Sequence, residues 1–508
     1  MNLHLDPESH TPLYEQIATQ VRALIVGDRL RVGDRLPPSR ELAKQLKIHR
    51  TTVSNAYAEL EADGLIGSHV GRGTFVTAKP AKETPARPTP NGSLSPLFWE
   101  ALFVEELQSE RLYDFRQLQP RAETISFAFA LPAPDLFPLE AIRRAVDRAL
   151  RREGPSLMQL GERSGYDPLC RYLTNQMRSA GVLRGQDQVL ITNGCQQSLD
   201  LVHRTLVGPG DAVAIENPTY PGALSVFLRK DSRAIGIPVT EHGMDIGALE
   251  EVLSHHRAKL IYTVPNFHNP TGVTLPITER RKLLQVARRF RVPILEDDIY
   301  GDLHYEGPAM PPLKALDEDG LVIYATSISK VGFPGLRIGW LVAPRVVIER
   351  LSVRKQACDL HANLLAQATI YELAKQGHLA KHLKRVRMIY AERRDVMLEA
   401  LERHFPREAR WRKPSGGMAI WVELPEGIDA SALLEASAEA GVIFSPGTHF
   451  YISSPRSDTM RLTFTTSDTN EIREGIKRLG SVLKRMMKNQ RARANGNEGE
   501  ARRSAALV

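Results

Sequence analysis

SISKVGFPGLRIGW, residues 327–340, links two short apolar runs, Val322–Thr326 and Trp340–Ala343. Uncharged runs of that length read as strands buried on both faces. Sheets of this kind bind ligands just beyond the carboxyl ends of their strands, so Ser327, Lys330 and Arg337 are the first residues to weigh. Working outward, the arrangement repeats. Pro293–Glu296 is followed by Asp297 and Tyr300 within LEDDIYGDL (295–303), and Leu260–Val264 by Asn269-Pro270-Thr271-Gly272. Val189–Thr192 is followed by Asn193-Gly194-Cys195-Gln196-Gln197, and Ala212–Ile215 runs into ENPTYPGA (216–223). From about Phe115 onward such runs alternate with amphipathic helical stretches, which predicts an α/β fold with a mostly parallel central sheet covered on both faces.

The residues after these strands match the needs of pyridoxal 5'-phosphate. Its aldehyde condenses with a lysine amine, and a carboxylate beside its ring nitrogen keeps that nitrogen protonated. Lys330 and Asp297 suit those two tasks. Asn269 and Tyr300 can donate to the ring oxygen, and Tyr220 can stack on the ring face. The glycine turn at 193–196 opens a helix whose backbone amides at Cys195 and Gln196 can hold a phosphate, helped by the Ser327 hydroxyl and the Arg337 guanidinium. The Cys195 side chain serves equally well as simple packing. Asp298 reads as a helix-start or surface acid, and Asn193 and Gln197 as turn and helix-face residues. No metal-binding spacing occurs.

Taken in order over about 125–485, NGCQQ, ENPTYPGA, NPTG, LEDDIYGDL, SISKVGFPGLRIGW and MRLTF (460–464) resemble the fold-type I aminotransferases. That resemblance implies a small C-terminal α+β subdomain, Lys330 as the catalytic Schiff-base lysine, Asp297 as the partner of the ring nitrogen, and Arg461 as the clamp on an effector or substrate carboxylate. Arg461 is also readable as an ordinary strand arginine. The chain departs from the family at Leu160, Gly165 and Leu169-Cys170, where aminotransferases carry a tyrosine that reaches the phosphate of the neighbouring subunit's cofactor. That contact is expected to be missing.

Residues 1–78 read differently. Leu13, Ile17, Val21, Leu24 and Ile25 recur at helical spacing up to Gly27. Pro37-Pro38 enforces a break, Ser39 can cap a second short helix, and a third buries Val53, Ala56, Tyr57 and Leu60. Arg50, Thr51 and Thr52 then stand at the start of the third helix on its open face, where helix-turn-helix proteins read base edges. Arg40 is placed to hold phosphate or an adjacent base. Leu65–Val76 reads as a hairpin about Gly71-Arg72-Gly73, a wing whose arginine can enter a minor groove. LPPSRELAKQL, HRTTVSNAYAELEADGLI and GRGTFV, in that order, resemble the winged helix of GntR-type regulators.

Five prolines between residues 79 and 96 predict a linker, here set at 79–114, ahead of the aminotransferase-like module at 115–486. Net charge is +8, much of it after Met487, and 487–508 reads as a basic disordered tail. The three cysteines match neither a zinc module nor a disulfide framework, and no apolar run approaches membrane-spanning length. A cytoplasmic protein with no membrane partner is expected.

A winged helix, a linker and an aminotransferase-like module in this order resemble the MocR subfamily of GntR-type regulators over nearly the whole chain. That implies a homodimer binding double-stranded operator DNA, whose pyridoxal phosphate, alone or with an amine or amino-acid effector, controls DNA binding. A working aminotransferase that carries a DNA-binding head is the alternative.

Overall fold

The computed structural model describes residues 3, 5, 12–26, 29–46, 48–62, 65–69, 73–77, 123–228 and 232–505. The chain divides into two compact units, 1–105 and 106–508. The expected linker at 79–114, and Gly71 and Arg72 of the expected wing, lie outside the described residues.

In the first unit α1 (Leu13–Val26), β1 (Arg35–Leu36), α2 (Ser39–Leu46), α3 (Arg50–Ala62), β2 (Ile66–His69) and β3 (Gly73–Val76) follow one another. The apolar stripes expected from the 3.6-residue period meet in one core, where Ile17, Val21, Ile25, Leu42, Val53, Ala56 and Leu60 are fully buried. Truncating any of the large ones to alanine removes about 2–5 kcal/mol. The Tyr57 hydroxyl donates to the Pro37 carbonyl at 2.8 Å, tying α3 to the break that ends β1. β3 forms the centre of a three-stranded antiparallel sheet, pairing Ile66 with Val76 on one side and Leu36 with Thr74 on the other. Gly73 opens β3 with φ +110°, a conformation open mainly to glycine.

The second unit contains β4 (Ile125–Ser126), β5 (Asp187–Thr192), β6 (Ala212–Asn217), β7 (Arg233–Thr240), β8 (Gly243–Met244), β9 (Ala258–Thr263), β10 (Ile294–Asp297), β11 (Val322–Ser327) and β12 (Gly339–Pro344). A small C-terminal part adds β13 (Arg410–Trp411), β14 (Ala419–Glu423), β15 (Val442–Ile443), β16 (Ser445–Pro446) and β17 (Thr459–Thr463). Eight strands form the main sheet in the order β5-β12-β11-β10-β9-β6-β7-β8. The inner pairs β7/β6, β6/β9, β9/β10 and β10/β11 are parallel, while β12 runs against both of its neighbours. All six strands expected from the sequence are present. β7 was not among them, because Gly236 and Pro238 interrupt its apolar pattern.

β10 and β11 are buried along their whole length, as expected of strands covered by helices on both faces. The small part is a four-stranded antiparallel sheet in the order β13-β14-β17-β16. The expected tail is corrected by the structure: one helix runs from Thr469 to Ala505, across the boundary set at 486. Buried Ile472, Ile476, Leu479 and Leu483 anchor it, and a helix already nucleated extends without a further nucleation cost. Arg491 pairs with Glu408 at 2.8 Å. Among the described residues no helix is long and apolar enough to cross a membrane.

Candidate functional site

The carboxyl ends of β5, β10 and β11 converge on a cavity of about 90 Å³. Cys195, Gln196, Tyr220, Asn269, Asp297, Tyr300, Ser327, Lys330 and Arg337 line it, with Val264, Ile299 and Ser329 completing the wall. Every residue singled out for the cofactor is therefore brought to one place. Of the larger open grooves, one lies on the small C-terminal part, and another runs between that part and Pro218, Thr240 and Thr271 of the main-sheet part.

Asp297 ends β10 and is 2 % exposed. Cys195 donates its thiol to Oδ1 at 3.2 Å and Tyr262 its hydroxyl to Oδ2 at 2.9 Å. Burial pushes the carboxyl pKa up, while these two donors, the Ile299 N–H and the nearby Lys330 charge pull it back down. Tyr262 was not foreseen. It belongs to β9, and the pairing of Tyr262 with Leu295 brings it beside Asp297, which no local pattern announces.

Lys330 lies beyond β11 and donates to the Ala130 carbonyl at 2.8 Å. Burial, and then the Arg461 charge, lower its amine to about 8. Burial also raises the Tyr220 phenol to about 12 and moves the Tyr300 phenol upward. Ser327 Oγ accepts from the Ser329 N–H at 3.2 Å.

At the glycine turn, Gly194 has φ +86° and ψ 169° and directly precedes the helix Cys195–Leu206. A Cβ on Gly194 would meet Arg337 Nη2 at 2.6 Å, so only glycine lets that guanidinium lie over the turn. Arg337 is exposed and donates to the Asn193 carbonyl at 3.0 Å. Helix geometry leaves the N–H groups of Cys195 and Gln196 without intrahelical acceptors. The donor set and the glycine cradle fit a phosphate.

Arg461, on β17, is 7 % exposed and has no carboxylate partner among the described residues. Its Nη1 donates to Asn269 Oδ1 at 2.8 Å and its Nη2 to the Ala128 carbonyl at 2.6 Å and Ser445 Oγ at 3.2 Å. Its Nε has no hydrogen-bond partner, the Phe450 ring lies 4.8 Å from the guanidinium carbon, and burial lowers its pKa to about 10. An ordinary strand arginine would reach solvent or an acid; this one does neither.

Asp298 departs from expectation. It is 7 % exposed, not a surface acid, and accepts from Asn266 at 2.6 Å and Tyr324 at 3.0 Å. Burial raises it to about 6. Asn193 and Gln197 also do more than line a turn, since both amides donate to Asp359.

In the first unit Arg40, Arg50 and Thr51 are exposed and Thr52 is half-buried, so the start of α3 stands open. Thr51 bonds His49 Nδ1 through its hydroxyl at 2.8 Å, ordering the first turn of α3.

Comparison with known proteins bears on both units. Residues 129–479 match the family of class I and II aminotransferases, and residues 13–76 match the bacterial regulatory proteins of the gntR family. An uncharacterized HTH-type transcriptional regulator of Bacillus subtilis, YisV, is 30% identical over 94% of this chain and 98% of its own. The probable rhizopine catabolism regulatory protein MocR of Rhizobium meliloti is 29% identical over 95% of this chain and 96% of its own. Among solved structures, a Pyrococcus horikoshii kynurenine aminotransferase, crystallised with PMP, superposes with a TM-score of 0.70 at 38% identity, covering 75% of this chain and 98% of that one.

Proposed function

Because this chain belongs to the class I and II aminotransferase family and carries a gntR-family regulatory domain ahead of that module, as MocR-type regulators do, we propose that it is a transcription regulator whose DNA binding responds to pyridoxal phosphate and to an amine or amino-acid effector. The observation that carries this reading is the single cavity in which Asp297 and Lys330 meet the donors needed for a ring oxygen and a phosphate. In this reading a DNA-binding head at 1–78, joined through 79–114, belongs to a cytoplasmic homodimer. Met158 and Leu160, 62 % and 78 % exposed, support a covering subunit near the segment that departs from the family.

The cofactor, when bound, supplies an aldehyde and an electron-withdrawing ring. Asp297, whose charged form is favoured by Cys195, Tyr262 and the Lys330 charge against the burial that raises its pKa, would hold a proton on the ring nitrogen. Lys330, lowered to about 8, keeps a usable neutral fraction near pH 7 and is the amine that would bond the aldehyde. Asn269 turns its Oδ1 to Arg461, which leaves its amide N–H groups to donate to the ring oxygen together with Tyr300. The Cys195 and Gln196 amides, the Ser327 hydroxyl and Arg337 would hold the phosphate, and Tyr220 would cover the ring. Arg461, a buried cation faced only by neutral acceptors, would gain most from an effector carboxylate. On the DNA, Arg50, Thr51 and Thr52 would read base edges and Arg40 would hold phosphate.

A ligand changes DNA binding only through differential affinity for two arrangements of the protein. The test therefore follows absorbance and binding to DNA upstream of the protein's own and neighbouring genes, while pyridoxal phosphate and then a panel of amines and amino acids are added. A ligand-dependent change of at least tenfold in selective DNA affinity, without sustained keto-acid formation, is expected. Steady turnover with unchanged DNA affinity would overturn the reading in favour of an aminotransferase carrying a DNA-binding head.

A further inference from the structure

The turn proposed for the phosphate is held from behind by a group far away in sequence. Asp359 is the last residue of the helix Arg345–Asp359. Its Oδ2 accepts from Asn193 Nδ2 at 2.5 Å and from Gln197 Nε2 at 2.7 Å, and its Oδ1 accepts from Lys355 Nζ at 2.8 Å. Lys355 is fully buried, so its charge is committed to this carboxylate. Gln197 returns its Oε1 to the Asn193 N–H at 2.8 Å, and Arg337 takes the Asn193 carbonyl at 3.0 Å. Asn193 is thus held at its amide, its side chain and its carbonyl, immediately before Gly194.

The backbone at the far side of the brace is under strain. Leu360 follows Asp359 with φ +62° and ψ −61°, and the His361 N–H closes a three-residue turn onto the Asp359 carbonyl at 2.7 Å. That is the strained hand of γ-turn, in a bulky residue that is 54 % exposed and gains little from packing. Such a conformation persists where surrounding contacts over-determine it. Here the contacts on either side of it include those Asp359 makes with the turn and the Leu360 N–H bond to the Gln356 carbonyl at 3.2 Å.

We propose that Asp359 is a positioning residue for the cofactor phosphate: oriented by Lys355, it fixes Asn193 and Gln197 so that the amides of Cys195 and Gln196 point at the anion. This rests on the reading of 193–196 as the phosphate turn. A preorganised turn binds its anion without first losing conformational freedom, so the brace acts on phosphate affinity and leaves the amine chemistry at Lys330 alone.

The test compares dissociation constants for pyridoxal phosphate and for pyridoxal, which lacks the phosphate, on the full-length protein. In the unaltered protein a strong preference for the phosphorylated form is expected; equal affinity would overturn the phosphate turn itself, and the brace with it. Given that preference, Asp359→Ala is expected to weaken pyridoxal phosphate at least tenfold and pyridoxal less than twofold, with Asp359→Glu recovering part of the loss. Gln197→Met, which removes one arm and keeps Lys355 paired with Asp359, provides the same comparison if Asp359→Ala fails to fold, with a smaller loss expected. Unchanged pyridoxal phosphate affinity in a folded variant, or equal loss for both ligands, would overturn the role of Asp359.

Discussion

Tyr262 donates its hydroxyl to Oδ2 of Asp297 across 2.9 Å, from the strand beside the one that carries the acid. Together with the Cys195 thiol on Oδ1, it gives a buried carboxylate one side-chain donor on each oxygen. A hydrogen bond to a charged group contributes about 1.5–3 kcal/mol. Tyr262→Phe keeps the ring and removes that donor, so the Asp297 pKa moves further above its ordinary value and the carboxylate holds a protonated ring nitrogen less well. We expect at least a tenfold loss of pyridoxal phosphate affinity, measured by absorbance titration, with the melting temperature little changed. Unaltered affinity would show that Cys195 and the Ile299 N–H are sufficient.

The amine of Lys330 titrates at about 8, below its ordinary 10.5, because burial and Arg461 both oppose its charge. The sign follows directly: only the neutral amine is nucleophilic, so uptake of pyridoxal phosphate by the cofactor-free protein should quicken as pH rises through about 8 and level off above it. Lys330→Ala should show no covalent trapping by borohydride at any pH. A rate that keeps rising towards pH 10.5 would contradict the lowered value.

Arg461 tests the effector class. Arg461→Gln removes the charge while keeping a donor near Asn269 and Ser445. Amino acids should then lose their effect on the cofactor spectrum by about a hundredfold in concentration, as expected for a lost charge-assisted pair, whereas amines without a carboxylate should act as before. Parallel losses in both ligand groups would remove the carboxylate assignment.

Arg50→Ala addresses the DNA-reading face. Loss of one base-reading arginine costs about 1–3 kcal/mol of discrimination, so the preference of the variant for its operator over random DNA should fall by about 5- to 150-fold in a competition footprint. Cofactor absorbance should be unchanged, since the substitution lies in the other compact unit. Retained preference would shift the reading role to Thr51, Thr52 or Arg40.

Much of the site was legible because cofactor chemistry is written in residue types that follow strands. Asp297, Lys330, Asn269, Tyr300 and Tyr220 were found in that way, and all line the cavity. Tyr262 and Asp359 were not, since each acts across a gap in sequence, through strand pairing in one case and a helix end in the other. Asp298 was misread for the same reason: its partners Asn266 and Tyr324 come from other segments. The end of the chain was misread because its polar composition suggested disorder, although a helix already anchored by Ile472, Ile476 and Leu479 continues into it.

The sequence by itself determined the two kinds of module, the mostly parallel sheet and the groups offered to the cofactor, because hydrophobic period, turn residues and residue type after a strand are local properties. Tertiary structure alone decided which donors reach Asp297, which neutral oxygens surround Arg461, and how Asp359 grips the phosphate turn. Those contacts join residues from 16 to 333 positions apart, and their formation depends on the order in which the strands pair and the helices pack, which no single stretch of chain specifies.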